Sequence, residues 1–176
     1  MALFNRNIIV SIMSFVPLFI LFYLALSEAE FNFEKFSFNL THILIFFWVL
    51  KNPQILGYGF IFLAGAINDV VVGLPIGISS ITYLILAGFA AYIRNLTVQP
   101  TLASDWMVFI PSLAVTNSLY YLILEILLEI EISYIELLLN SFITIAAYPV
   151  FWFLFNLVAS TFMRDKHVWS RQWINK

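Results

Sequence analysis

Apolar positions in this chain cluster into whole segments rather than into one face of a helical turn. Six runs stand out, at about Ile8–Leu26, Phe36–Leu50, Ile55–Val72, Ile76–Ile93, Met107–Leu128 and Ile135–Met163, joined by short polar connections. Such runs predict membrane-spanning helices, which need about 20 residues at 1.5 Å rise each. The first, third, fourth and fifth fit that length. The second is short and carries His42, whereas the sixth is long enough to cross with a tilt or a kink and contains Pro149.

One stretch interrupts the pattern. From Gly65 to Gly77 the chain reads Gly-Ala-Ile-Asn-Asp-Val-Val-Val-Gly-Leu-Pro-Ile-Gly, with Asp69 as the carboxylate inside an otherwise apolar span. The span then breaks at Gly73 and Pro75 and restarts at Gly77. A carboxylate at a helix centre costs about 2.5–3.5 kcal/mol on insertion scales, less near an interface. A broken backbone at that depth needs neighbouring protein or a wet cavity to satisfy its polar groups.

Two readings of Asp69 follow. It contacts a partner, substrate or cation, or it ties the chain internally to a hydroxyl, an amide or the free N–H groups at Gly77–Ser79. The start of the next helix there carries positive dipole character. Gly65, Asp69, Gly73 and Gly77 recur every four residues, and the first three share one helical face. Ser80, Ala87 and Ala91 give the following segment a small-residue stripe. Small residues at this spacing admit a close neighbour, either within the chain or as another protein's transmembrane helix.

Composition strengthens the membrane assignment. Hydrophobic residues make up 62% and charged residues 10%, with a mean hydropathy of +0.97, against about 25% charged in a soluble domain. The expected class is an all-α integral membrane protein, with residues 1–176 forming a single polytopic domain. The absence of cysteine excludes thiol catalysis, disulfides, thiolate zinc and iron–sulfur clusters.

Charge sets the orientation. If all six segments cross, one side holds Arg6, Lys51, Arg94, Arg164, Lys166, Arg171 and Lys176, and the other holds Lys35 with seven glutamates. The positive-inside rule then places both termini in the cytoplasm. The first run, of nineteen residues, exceeds the apolar core of a cleaved signal peptide and is expected to remain.

The remaining candidates have plainer readings. His42, Thr116, Asn117, Ser118, Asn140, Ser141 and Thr144 suit interhelical hydrogen bonds. Glu125, Glu129, Glu131 and Glu136 form an acidic edge without the glycine or spacing of a calcium loop. In the basic tail, residues 164–176, Arg164, Lys166, Trp169, Arg171 and Trp173 suit either the membrane surface or a cytoplasmic partner. No H-E-x-x-H, phosphate-cradling loop, G-x-S-x-G or Cys–His pair occurs. The basic residues are too few and too spread for nucleic-acid binding. The expectation is a protein without catalysis, cofactor or metal.

The central stretch resembles the MreD family of rod shape-determining membrane proteins. The matching residues are Phe47-Trp48, Pro53, Gly57, Phe60, Gly65, Asp69, Gly73, Pro75 and Gly77. The family pattern is an aromatic pair, a Pro-containing turn, then G-L-L-x-D-x-x-x-G-x-P-L-G. Here Ala66-Ile67 stands for the two leucines and Ile76 for the last one. The likeness is specific over about residues 46–93 and generic elsewhere. It implies a non-catalytic role in cell elongation at the bacterial inner membrane. Implied partners are an MreC-like protein, the MreB filament, a RodA-type glycosyltransferase and its penicillin-binding transpeptidase. It also implies a fold similar to the S components of energy-coupling-factor vitamin transporters. The alternative function is therefore a vitamin-type binding subunit, with Asp69, Asn117 and His42 lining its pocket. In the scaffold reading, Gly65, Asp69, Gly73, Pro75 and Gly77 form the docking face for the MreC-like helix.

Overall fold

In the computed structural model, which describes residues 15–27, 38–96, 101–128 and 133–174, every regular element is a helix. Of Val158 and residues 160–174 only the backbone is described. The helices are α1 (Val16–Leu26), α2 (Leu40–Lys51), the single turn α3 (Pro53–Leu56), α4 (Tyr58–Val72), α5 (Ile78–Leu96), α6 (Leu102–Leu128) and α7 (Tyr134–Ile174).

The core is built round α2. Every residue from Thr41 to Leu50 is buried, and α1, α5 and α7 pack against it. A helix that is apolar all round is stable only when enclosed on all sides. With 12 residues, α2 is about 18 Å long. Around it α4 packs on α1 and α5, α6 packs on α5, and α7 packs on α6 and α2.

Three boundaries differ most from the hydropathy reading, the first two for a local reason. The third run is not one helix from Ile55. Gly57, at φ 54°, separates α3 from α4, and glycine adopts that left-handed region without the Cβ clash other residues meet. The helix of the fifth run, α6, begins at Leu102 rather than Met107, because Thr101 caps it: the Ser104 N–H donates to Thr101 Oγ1 at 3.3 Å. That earlier start brings Asp105 into the first turn. The last helix runs on to Ile174, so most of the basic tail continues α7.

The segments Leu102–Leu127 and Tyr134–Leu157 are long and apolar enough to cross a membrane. Only 28% and 11% of their most apolar windows are buried, so neither is the enclosed core helix of a globular domain. Large exposed side chains such as Met107, Ile126, Ile135, Leu138, Phe142 and Phe153 line their outer sides.

Pro149 sits inside α7. Proline has no N–H, so the carbonyl four residues earlier loses its helical partner. That carbonyl belongs to Ile145, and it accepts instead from the Trp106 indole Nε1–H of α6 at 3.0 Å. Asn117 Nδ2 donates to Ser141 Oγ at 2.9 Å further along the same two helices. These bonds make α6 and α7 a tied hairpin.

Candidate functional site

The α4–α5 corner is assembled from the residues that break the apolar pattern. α4 ends because Gly73 turns left-handed, at φ 78°, and its N–H and that of Leu74 both donate to the Asp69 carbonyl. This is the common glycine stop of a helix. Pro75 cannot continue it. The chain reverses through Gly77, at φ 118°, and α5 begins at Ile78.

Asp69 joins the two helices. Its Oδ2 accepts the Gly77 N–H at 2.7 Å and its Oδ1 accepts the Ser79 N–H at 2.9 Å. The first N–H groups of a helix have no partner within it and carry positive partial charge, so a carboxylate satisfies both needs. Asp69 is fully buried. The Asn68 amide donates to Ser79 Oγ at 3.1 Å, and Ser80 Oγ donates to the Phe62 carbonyl at 2.9 Å. Of the two readings of Asp69, the geometry is that of the internal tie.

Gly65 explains why the helices can come this close. A Cβ built there would lie 2.5 Å from Ser80 Cα and 2.6 Å from Ser80 N. These are backbone atoms, which no rotamer change can move aside. The neighbour at Gly65 is therefore the chain's own α5, and the slot expected there for a foreign helix is filled. Gly77 is half-buried, whereas Gly73, Pro75 and Ile76 are exposed at the tip of the corner. The five residues expected to share one docking face thus divide into an inner pair, Gly65 and Asp69, and an outer tip.

A second polar cluster lies between α2, α6 and α7, and the sequence reading missed it. Lys51 Nζ stands 3.5 Å from Asp105 Oδ2, and both side chains are at least nine-tenths buried. The Trp152 indole N–H donates to the same oxygen at 2.9 Å. The ammonium also lies 5.9 Å from the Phe47 ring centre and 5.6 Å from that of Trp152, within reach of a cation–π attraction. In the hydropathy pattern Lys51 and Asp105 both fall in polar connections. Their one sequence signal is positional: a base in a last helical turn and an acid in a first one.

The other candidates are dispersed. His42 is buried with its ring edge-on to Tyr83, centroids 5.4 Å apart, and its Nδ1 has no hydrogen-bond partner among the described residues. No hydrogen bond joins it to Asp69 among the described residues. Thr116 is not an interhelical donor, because its hydroxyl bonds back to the Ser112 carbonyl at 2.7 Å. Thr144 Oγ1 does reach across, accepting the Asn39 N–H at 3.1 Å while donating to the Asn140 carbonyl. Ser118 is exposed. Tyr134 donates weakly to Glu125, at 3.4 Å, and Glu129 and Glu131 lie outside the described residues. So do the side chains of Arg164, Lys166, Trp169, Arg171 and Trp173.

Comparison of the chain with known protein families, with curated proteins and with solved structures returns no match.

Proposed function

We propose that this chain is a multi-pass membrane scaffold of the MreD type. In this reading it has six crossings, both termini are cytoplasmic, and it serves cell elongation and lateral peptidoglycan synthesis at the bacterial inner membrane. One observation carries the proposal. Five residues of the family-like motif have mechanical tasks, four of them at or beside the α4–α5 corner and one, Gly57, at the far end of α4. Gly57 divides α3 from α4, Gly65 admits α5, Asp69 caps it, and Gly73 and Pro75 end α4. A motif of this kind specifies a shape, not a reaction.

The geometry moves the proposed partner contact outward. Gly65 and Asp69 are engaged with α5, so an MreC-like helix or its adjoining segment would meet the exposed tip, Gly73, Pro75 and Ile76. The MreB filament, a RodA-type glycosyltransferase and its transpeptidase are the further partners proposed. The basic aromatic end of α7 would face the cytoplasmic surface and its anionic lipids. The vitamin-binding alternative gains nothing here. Asp69 and Asn117, which it would direct into a pocket, are each engaged in an internal hydrogen bond.

The test is co-purification of the full chain with an MreC-like protein from mild detergent. Ile76→Lys and Pro75→Asp should weaken capture while leaving membrane insertion intact. Undiminished capture by both variants would remove the docking assignment. A stoichiometric small metabolite on the purified chain would remove the scaffold reading itself.

A further inference from the structure

The α6–α7 hairpin is clipped to the central helix at both ends of α2. At one end the Asn39 N–H, which precedes α2, donates to Thr144 Oγ1 of α7. At the other, Lys51 in the last turn of α2 faces Asp105 of α6 and Trp152 of α7. Between the clips the contact is aromatic, with edge-to-face and tilted rings. Phe46 meets Phe109 and Tyr148 at centroid separations of 5.1 and 6.0 Å, and Phe47 meets Phe155 at 5.4 Å. A shift of such rings costs packing but strands no charge, whereas a shift of a buried charge pair strands both ions.

We infer that Lys51, Asp105 and Trp152 form a charge latch that fixes the register of the α6–α7 hairpin on α2. Each charge is favoured where it stands. The C-terminal end of α2 carries negative partial charge and suits Lys51, and the N-terminal end of α6 carries positive partial charge and suits Asp105. Trp152 adds the third helix, because one indole both donates to the carboxylate and offers its face to the ammonium. Removing one charge leaves the other buried and unpaired, which is far worse than removing both. The latch is therefore all-or-none, and a hairpin displaced by one helical turn would strand both ions. Buried polar groups that fix register at some cost in stability are known from coiled coils.

The experiment uses the full chain in lipid nanodiscs and reads two quantities, the melting temperature and amide hydrogen exchange by segment. Lys51→Met and Asp105→Leu, made singly, should lower the melting temperature and speed exchange at residues 102–110 and 146–157, with residues 58–96 unchanged. The charge swap Lys51→Asp with Asp105→Lys should recover part of the loss. Recovery is incomplete because the reversed charges oppose both helix ends and forfeit the indole bond. The double variant Lys51→Met with Asp105→Leu strands no charge and should accumulate even where the single variants do not. It should melt close to the native chain yet still exchange faster at the inner halves of α6 and α7. Native exchange in that double variant, or a swap no better than the worse single variant, would overturn the latch.

Discussion

Replacing Trp106 by Phe isolates the role of the indole N–H. In the native chain that N–H meets the Ile145 carbonyl, which Pro149 has deprived of its helical partner. Phe keeps a six-membered ring and removes the donor, so the carbonyl loses the one partner that replaces the helical N–H missing at Pro149. Hydrogen bonds between membrane helices are worth about 0.6–2 kcal/mol, and the loss should fall in that range, near 1–2 kcal/mol. The same substitution in a Pro149→Ala background should cost much less. Alanine at that position restores an N–H four residues after Ile145, and the carbonyl no longer depends on α6. The difference between the two costs is the coupling energy of a double-mutant cycle, expected at about 1 kcal/mol. Reversible unfolding in mixed detergent–lipid micelles measures it. Equal costs in both backgrounds would exclude this account, because the indole would then act through packing alone.

The α4–α5 corner gives three further expectations. Asp69→Asn keeps one acceptor and should destabilise by about 1–2 kcal/mol. Asp69→Leu strands the buried Ser79 N–H, at about 1–3 kcal/mol, and the half-buried Gly77 N–H at less than that, and should cost clearly more in the same assay. Gly65→Ala drives a methyl into the Ser80 backbone and should cost about 1–3 kcal/mol. The control Gly88→Ala meets nothing within 4 Å and should be neutral or gain about 0.5–1 kcal/mol, as the melting curves of the two variants would show. Gly73→Ala meets no atom but must hold φ at 78°; backbone strain alone predicts a loss of about 1–2 kcal/mol. A Gly73→Ala chain as stable as the native one would mean the corner can be rebuilt without that turn.

The parts of this fold that were legible in the sequence are those written in punctuation. Gly73, Pro75 and Gly77 announce a reversal, and Asp69 placed just before it in an apolar run demands a donor nearby. The free N–H groups of the next helix are the nearest donors the chain can offer. The position of α2 was not legible. Its apolar pattern is as uniform as that of the lipid-length segments, and hydropathy does not distinguish a helix enclosed by protein from one enclosed by lipid. Lys51 and Asp105 were obscured because each lies at a helix end, where charges are ordinarily solvated. Only tertiary packing brings the two ends together. The Trp106 bond was hidden for a related reason: Pro149 shows which carbonyl is freed, but not which side chain will reach it.

The enclosure of α2 has a mechanical consequence. The helix is buried from Thr41 to Leu50 among the described residues, so its ~18 Å length would not need to match a bilayer's thickness and answers to the protein around it. In the proposed membrane setting, a change in bilayer thickness would fall on the outer surfaces of α6 and α7, which can tilt to follow it. Their tilt would pivot on a post that the bilayer cannot stretch, so the ends of the hairpin would swing while its seat on the post stays still.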